Sequence, residues 1–391
     1  MLVDKNMCTG CGNCILSCKV DAIFLKYDKS NNIYPVIDKK KCIGCKQCEK
    51  FCPMLNQSKK NKIIKCYAGY NMNEEDRKNA ASGGIATSIY RYAIKKSILF
   101  NGVVLDKKNF EAHHQLGNSE IDLVKFRNSK YTFSFMDDIV VLISENIRQN
   151  METIFIGLPC QCAAVKRYCI NLNLNIEKLM LIDIVCHGVP SPKYLEEHIS
   201  SVFLKKEINN IFFRDPLKGT SNFIFSIYGK DKTYSKKVES NDNYQIGYHN
   251  ATIYRENCYQ CIYATNDRIG DLTICDYPSL GKIKEYKNAK DEIKKGISCI
   301  IVNSKKGEIL INKLYEEGYI YIAERPIEEI LKYEKQLNFP SQPSKFRVKF
   351  LENIENMNFT QTCNKIFYLE KIKYPLIRKV KDIIKSVMNI K

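Results

Sequence analysis

The sequence CTGCGNCILSC at residues 8–18 returns with the same cysteine spacing as CIGCKQCEKFCP at residues 42–53. Each copy follows the pattern C-x2-C-x2-C-x3-C, and Pro53 closes the second copy. This spacing is typical of thiolate ligands to 4Fe-4S clusters, in which the fourth cysteine of each run ligates the other cluster. The first predicted set is therefore Cys8, Cys11, Cys14 and Cys52, and the second is Cys42, Cys45, Cys48 and Cys18.

Zinc and disulfide bonds are the competing interpretations of these eight cysteines. Structural zinc sites usually combine two separated C-x2-C pairs, and the continuous runs found here differ from that arrangement. Disulfides belong to oxidising compartments. The spacing thus favours two iron–sulfur clusters in a small ferredoxin-like unit.

The length and hydropathy of the chain bound its class. A chain of 391 residues is expected to form about two to three domains. The first residues lack the apolar core of a signal peptide, and no stretch approaches the roughly 18 apolar residues that a membrane span needs. We expect a cytoplasmic protein in a reducing setting that keeps thiolates and clusters intact.

The formal net charge of +18 admits three interpretations. A basic surface can bind nucleic acid, it can dock an acidic redox protein, or it can reflect the abundance of lysine along the whole chain. Lysines are spread over the sequence and form no single basic arm, which disfavours nucleic acid. A ferredoxin or another acidic redox protein is the favoured partner.

Two apolar runs in the second half, residues 153–156 and 179–185, lead into Cys160 and Cys186. Buried parallel strands would place both cysteines at the carboxyl edge of one sheet, where open α/β sheets bind ligands. Further strands are predicted at residues 33–38, 63–70, 102–105, 123–126, 211–213, 223–228 and 296–302, and helices at residues 85–93 and 139–147 and after residue 307.

A third metal site is predicted from these two cysteines and the C-x2-C pair Cys258 and Cys261. Four thiolates from separate segments suit a 4Fe-4S cluster or a zinc ion. We favour the cluster because electrons need a route from the N-terminal unit into the second domain. Cys162 and Cys275 are the substitute ligands, and the cysteines predicted to be buried hydrophobic residues are Cys66, Cys169, Cys299 and Cys363.

The motifs ASGG (81–84), GLPCQ (157–161), DIVCHGVPSP (183–192) and CYQC (258–261) followed by GDLT (270–273) resemble the family of coenzyme F420 hydrogenase/dehydrogenase beta subunits. The likeness runs from about residue 66 to residue 332, and C-H-G-x-P-S-P is its most specific part. The resemblance implies a fold that carries FAD and a 4Fe-4S cluster and passes electrons to a two-electron acceptor such as coenzyme F420.

The resemblance also implies roles for two loops. Ser82, Gly83 and Gly84 would bind the FAD phosphates, although from the residues alone an ordinary helix start explains this loop equally well. Ser129, Lys130 and Tyr131 match a stretch near the flavin, and the third cysteine set matches the family's cluster ligands. No catalytic residue is assigned. The chain departs from the family at CDYPS (275–279), where Gly-Asp-Phe-Trp-Gly is usual, and it contains no tryptophan.

Together these patterns predict an α+β and α/β protein, in which a small dicluster domain precedes a mixed α/β flavin and iron–sulfur domain. The expected function is electron relay from a ferredoxin-like donor through 4Fe-4S clusters and FAD to coenzyme F420 or another small molecule. The alternative is a non-catalytic electron-transfer subunit of a larger complex. A basic, amphipathic tail also suits an anionic membrane surface. The predicted regions are a dicluster domain (1–57), a linker (58–65), a flavin-binding part (66–150), a C-terminal domain with the third cluster (151–332) and the tail (333–391).

Overall fold

The computed structural model of the protein describes residues 2–287 and 290–388. Its strands are β1 (Ile23–Tyr27), β2 (Ile33–Ile37), β3 (Lys65–Asn71), β4 (Leu99–Leu105), β5 (Ala112–Gly117), β6 (Ser134–Phe135), β7 (Thr153–Gly157), β8 (Leu179–Ile184), β9 (Ile208–Phe212), β10 (Phe225–Gly229), β11 (Thr233–Lys236), β12 (Leu272–Asp276), β13 (Ser298–Val302) and β14 (Ile320–Arg325). Its helices are α1 (Asn13–Leu16), α2 (Gln47–Phe51), α3 (Glu74–Lys78), α4 (Ile85–Lys95), α5 (Glu120–Phe126), α6 (Ile139–Arg148), α7 (Pro159–Asn171), α8 (Pro192–Val202), α9 (Asn243–His249), α10 (Lys290–Lys294), α11 (Lys305–Glu316), α12 (Ile327–Leu331), α13 (Arg347–Ile354), α14 (Phe359–Ile366) and α15 (Tyr368–Met388).

A nine-stranded mixed sheet organises the chain, with the order β14-β3-β13-β12-β8-β7-β4-β5-β6. The predicted parallel pairing of β7 and β8 is confirmed, with Thr153 opposite Leu179 and Gly157 opposite Asp183. Both strands therefore end at the same edge, and the cysteines that follow them lie there. The sheet includes strands from both sides of residue 150, so the flavin-binding and C-terminal regions defined from the sequence share one sheet.

Helices cover both faces of this sheet, which explains why its central strands are mostly apolar. Neighbouring side chains of a strand point to opposite faces. Ile154 of β7 belongs to a core with α4 and α11, whereas Phe155 belongs to a core with α6 and α7. Strand β7 is buried throughout as a result.

One predicted strand, at residues 123–126, is wrong, because these residues belong to helix α5. The Ser119 side chain accepts a hydrogen bond from the Asp122 N–H and so caps the helix. Leu123 and Phe126 are buried while Val124 is exposed, which is the three-residue spacing of one helical face. The short apolar run lacks the alternation that distinguishes a strand from a helix.

The chain segment predicted as a tail, residues 333–391, is divided in the structure. Helices α13 and α14 are part of the core around the three-stranded sheet β11-β10-β9. Phe350 and Phe359 are fully buried there. In helix α15 the apolar side chains of Leu369, Ile372, Leu376 and Val380 are exposed, and that of Val387 lies outside the described part of the chain.

The N-terminal unit, with strands β1 and β2 paired antiparallel, packs directly on the rest of the protein. The buried Asn13 amide donates to the Ala164 carbonyl at 2.9 Å. The Phe51 and Tyr168 rings meet edge to face with their centroids 5.0 Å apart. The Tyr263 hydroxyl donates to the Pro53 carbonyl at 3.3 Å. These contacts fix both cysteine runs against helix α7 and the segment that follows Cys261.

Within residues 2–287 and 290–388, no helix combines the length and the apolar character needed to cross a membrane.

Candidate metal centre

The structure brings Cys8, Cys11, Cys14 and Cys52 together beneath the surface of the N-terminal unit. Burial raises the pKa of the Cys14 thiol, and repulsion from Cys11, Cys8, Cys52 and Cys48 raises it further. Four close thiols whose ionised forms repel one another need a positive group between them. The donor set therefore fits the iron–sulfur cluster that the spacing predicts.

Glycines shape the two short loops that join Cys8, Cys11 and Cys14. Gly10 and Gly12 have φ values of 72° and 80°, in the left-handed region that side chains disfavour. A Cβ atom at Gly10 would lie 3.1 Å from both the Arg255 guanidinium and the Phe133 ring. The loop can thus turn its thiols inward and approach the second domain closely.

The second predicted set lies at the surface. Cys42 and Cys45 are exposed, while Cys18 and Cys48 are partly buried. The Cys18 sulfur accepts a hydrogen bond from the Ala22 N–H at 3.3 Å. Cys48 of the second set lies near the first set, because its charge helps to raise the pKa of the Cys14 thiol.

The third predicted set surrounds one cavity of about 730 Å³, a volume that includes its open mouth. Cys160, Cys186, Cys258 and Cys261 all line it, and so does Cys11 of the first set. Burial raises the pKa of the Cys160 thiol well above its ordinary value, and the charges of Cys261, Cys186, Cys258 and Cys11 add to this effect. Four thiolates around one cavity fit a cluster in number and in kind.

In the described ranges, no group of three or more His, Cys, Asp or Glu side chains is arranged to hold a single metal ion. Each thiolate of a 4Fe-4S cluster binds its own iron, so the cysteines of such a site lie farther apart than the ligands of one ion.

The two substitute ligands point elsewhere. The Cys162 sulfur lies 3.8 Å from the Gly157 carbonyl and 3.6 Å from that of Ile182, inside the sheet core. Cys275 is opposite Cys299 across the β12–β13 pair. The cysteines predicted to be buried hydrophobic residues are confirmed as such by their burial: Cys66, Cys169, Cys299 and Cys363.

A buried polar network beside the cavity was not predicted from the sequence. The Asp183 Oδ1 atom accepts hydrogen bonds from Arg268 Nη2 and from the Thr273 hydroxyl, both at 2.6 Å. Its Oδ2 atom accepts from the Gly270 N–H at 2.8 Å. The network ties the loop that follows Cys261 to the strand that leads to Cys186. Its residues occur in DIVCHG and GDLT, but only their position in the fold reveals this role.

The loop Ser82–Gly83–Gly84 precedes helix α4 and is hydrogen-bonded within the protein. The Gly83 N–H donates to the Ser298 hydroxyl at 3.0 Å, and the Ser82 hydroxyl donates to the Ile297 carbonyl at 3.1 Å. A Cβ atom at Gly83 would lie 2.6 Å from the Gly69 carbonyl oxygen. Glycine is therefore required here by packing, and the Gly83 N–H is not available to a phosphate in this structure.

Lys130 and Tyr131 also have partners within the protein. The Lys130 ammonium donates to the last carbonyls of helix α5, including that of Arg127 at 2.7 Å, and burial lowers the pKa of this amine to about 7. The Tyr131 ring stacks on Tyr248 with a centroid distance of 4.8 Å. Among the described residues, no hydrogen bond, ion pair or ring contact joins Ser129, Lys130 or Tyr131 to the Ser82 loop.

Comparisons with known proteins agree with this arrangement. Residues 150–328 match the family defined by the C terminus of the beta subunit of coenzyme F420 hydrogenase/dehydrogenase. Residues 1–59 match a 4Fe-4S dicluster domain, and a second dicluster family matches residues 34–88. The chain is thus an iron–sulfur electron-transfer protein. The resemblance predicted from the sequence is confirmed: residues 150–328 are similar to the C-terminal region of these beta subunits, and residues 1–59 are similar to a 4Fe-4S dicluster domain.

Two relatives come from Methanosarcina species. The relative from Methanosarcina mazei, which is one subunit of the F(420)H(2) dehydrogenase, is 21% identical over 243 residues, which are 59% of this chain and 66% of the relative. The chain thus spans just under two thirds of that relative's length. A chain in the xenon-derivatised F420-reducing [NiFe] hydrogenase complex from Methanosarcina barkeri is 18% identical, with a TM-score of 0.47 over 77% of this chain and 91% of that one.

Proposed function

We propose that this chain relays electrons between a ferredoxin-like donor and a two-electron acceptor, coenzyme F420 or another small molecule. The observation that carries the proposal is that Cys11 of the dicluster domain lines the same cavity as the third cysteine set. Bound clusters exchange single electrons, and a bound FAD converts them to pairs. The ligands of the third cluster would be Cys160, Cys186, Cys258 and Cys261.

The positions of the three sets support an electron path that begins at the exposed set. Cys42 and Cys45 are exposed and Cys8 and Cys14 are buried, while the partly buried Cys160 lines the cavity that Cys11 of the first set also lines. The exposed set is the one that a partner protein can approach. The burial of Cys8, Cys14 and Cys52 lowers the local dielectric constant, which strengthens electrostatic effects on the first cluster.

A basic surface surrounds the exposed set and favours an acidic redox partner. Ile43, between Cys42 and Cys45, is 69% exposed. Four exposed lysines flank it: Lys39, Lys40, Lys41 and Lys46. An apolar centre with a charged rim is suited to transient docking, since the charges steer the encounter.

FAD enters the proposal through the family resemblance, with Ser82, Gly83, Gly84, Ser129, Lys130 and Tyr131 as the inherited candidate residues. The described contacts of Gly83 and Lys130 are structural, so no step is assigned to these residues. Measuring FAD in the purified protein tests directly whether the chain binds this cofactor.

The deciding experiment is anaerobic purification followed by quantification of iron, sulfide and flavin. About twelve irons and about one FAD per chain are expected for three 4Fe-4S clusters and a flavin. About eight irons with one zinc would overturn the third cluster. Full iron without flavin would overturn the flavin enzyme and leave electron transfer alone.

That second candidate is a non-catalytic electron-transfer subunit of a larger redox complex. The name of the relative from Methanosarcina mazei, which is one subunit of a dehydrogenase, favours it. It predicts that the isolated chain accepts electrons from a reduced ferredoxin but reduces no F420 by itself. Turnover of F420 by the isolated chain would exclude this candidate.

Helix α15 supports a further proposed contact, with an anionic membrane surface. Its exposed apolar residues, among them Leu369, Ile372 and Leu376, share the helix with lysines such as Lys373. Such a helix binds anionic vesicles in a salt-dependent manner. Co-sedimentation with phosphatidylserine vesicles at low salt is expected, and equal recovery with neutral vesicles would contradict it.

A further inference from the structure

Arg255 is a fully buried cation between the first and third cysteine sets. Its exposed fraction is 0%. One guanidinium nitrogen, Nη1, donates to the Ile33 carbonyl at 2.9 Å, and Nη2 reaches the Cys8 carbonyl at 3.5 Å. The same residue begins the turn of the third set, because its carbonyl accepts from the Cys258 N–H at 3.0 Å. Arg255 thus touches a ligand segment of each set.

The neighbours of Arg255 do not neutralise its charge. The guanidinium carbon lies 4.5 Å from the centroid of the Tyr34 ring and 4.8 Å from that of Phe133. Nε donates to the Asn257 side-chain oxygen at 3.4 Å. Among the residues that the structure describes, no Asp or Glu forms an ion pair with it. Other buried arginines have such a partner, as Arg268 has Asp183.

Burying an unpaired charge is costly, and buried charges are normally paired. Ring faces and neutral acceptors offset only part of that cost. The anionic groups that the surroundings offer are the thiolates of the two cysteine sets, since Arg255 reaches the Cys8 carbonyl with its guanidinium and accepts from the Cys258 N–H with its own carbonyl. Clusters held by four thiolates are anionic in the same way.

We propose that Arg255 is the shared counter-ion of the first and third clusters and that its charge raises the reduction potentials of both. Net charge and hydrogen bonds near a cluster set its potential, and a fixed positive charge stabilises the reduced, more negative state. Arg255 is a positioning residue in this sense, since it acts on the clusters through their ligand segments. The part that concerns the third cluster rests on the proposed function.

The test is a redox titration of the full chain, purified anaerobically and followed by electron paramagnetic resonance, with iron counted for each variant. Arg255→Gln removes the charge. Asn257→Asp leaves the arginine in place and pairs it with a carboxylate. Arg255→Lys keeps the charge. Arg77→Gln is the control. Arg77 is also buried, and its guanidinium carbon lies 3.8 Å from the centroid of the Tyr70 ring, but its charge is paired with Glu292.

Arg255→Gln and Asn257→Asp are expected to lower the potentials of the first and third clusters. At a fixed potential the ratio of oxidised to reduced cluster should rise roughly tenfold, which is about 59 mV for a one-electron centre. The exposed second cluster should shift less, and the potentials of Arg255→Lys and Arg77→Gln should stay near those of the wild type.

Wild-type potentials in fully loaded Arg255→Gln or Asn257→Asp would overturn the proposal, as would an equal decrease in Arg255→Lys. If Arg255→Gln does not assemble its clusters, Asn257→Asp decides. If the wild type and all variants hold only about eight irons, the proposed third cluster is rejected, but the potential of the first cluster still tests the effect of Arg255.

Discussion

Arg268 and Asp183 form a fully buried ion pair, with 2.6 Å between Arg268 Nη2 and Asp183 Oδ1 and at most 1% of either side chain exposed. Arg268 also donates to the Tyr263 and Thr265 carbonyls at 3.2 and 3.0 Å. The pair therefore holds the segment after Cys261 against strand β8. Loss of either partner would leave the other as an unpaired buried charge, which is costly.

Replacing Arg268 by methionine should destabilise the protein by about 3–5 kcal/mol, because Asp183 would be left as an unpaired buried charge. The third cysteine set should also lose its cluster, about four irons per chain. Anaerobic urea unfolding and iron analysis measure the two effects. Lys62→Met is the control, since Lys62 pairs with Asp267 at the surface at 2.9 Å and such pairs contribute about 1 kcal/mol or less. An equal loss in both variants would contradict the assignment.

The cysteine assignment of the third site is tested by a neighbouring pair on helix α7. Cys160→Ala should remove about four irons, because Cys160 lines the cavity. Cys162→Ala should keep all the iron, because the Cys162 sulfur faces the carbonyls of Gly157 and Ile182 inside the sheet core. Iron and sulfide analysis distinguishes the two. Retention of iron in Cys160→Ala together with loss of iron in Cys162→Ala would show that Cys162, and not Cys160, is the cluster ligand.

Much of the fold near the site could be predicted because local spacing determines it. The runs of cysteines set the loops of the N-terminal unit, and the continuous apolar runs before Cys160 and Cys186 indicated strands buried on both faces. The segment at residues 123–126 could not be assigned in this way. Four mostly apolar residues fit both the two-residue repeat of a strand and the 3.6-residue repeat of a helix. The cap at Ser119 and the burial of Leu123 and Phe126 show that the segment is helical.

The residues that the sequence left without a role are those that act across long chain separations. Arg255 meets Cys8, and Asp183 meets Arg268, only after the N-terminal unit has packed and the sheet has formed. No local pattern encodes such contacts. Conversely, Gly83 looked like a phosphate-binding glycine, whereas the structure shows that it packs against Gly69. A small residue before a helix serves either purpose, and only its neighbours distinguish them.

The exposed cysteine set should lose its iron first when a ferrous chelator is added anaerobically to the reduced protein. Cys42 and Cys45 are exposed, whereas Cys8, Cys14 and Cys52 are buried. We expect a fast phase of about four irons followed by much slower release. Cys42→Ala, which removes an exposed ligand, should lack the fast phase. A single slow phase in the wild type would show that the surface set is as protected as the others.

Reversing charges beside the exposed set should slow reduction by an acidic ferredoxin. Lys39→Glu/Lys41→Glu should lower the second-order rate constant about tenfold at low ionic strength, because complementary charges steer the encounter. The effect should fade at high salt as the charges are screened. Stopped-flow absorbance measures the rate. Lys373→Glu/Lys379→Glu, the same charge change on helix α15, should leave the rate constant unchanged. An equal decrease would show that the rate depends on the net charge of the protein and not on a docking surface beside the exposed set.

Two adjacent histidines of strand β5 should affect stability with opposite dependence on pH. Burial lowers the pKa of His114 to about 4, below the value of about 6.5 in an unfolded chain. The unfolded state therefore binds the proton more readily, and stability falls as pH decreases from about 6.5 toward 4. His113 is the opposite case, because its hydrogen bond to Asp137, at 2.6 Å, raises its pKa.

Between pH 6.5 and 5, the wild type should lose about 2 kcal/mol more of its free energy of unfolding than His114→Gln does, since that variant lacks the buried group. His113→Gln should differ in slope from the wild type at higher pH, because the His113 contribution is fully present below about pH 6.5 and is lost as pH rises from there through the higher folded-state pKa. Anaerobic urea unfolding at intervals between about pH 5 and 8 gives both slopes. Parallel slopes in the wild type and His114→Gln would mean that His114 is protonated in the folded protein, contrary to its burial beside Asn101.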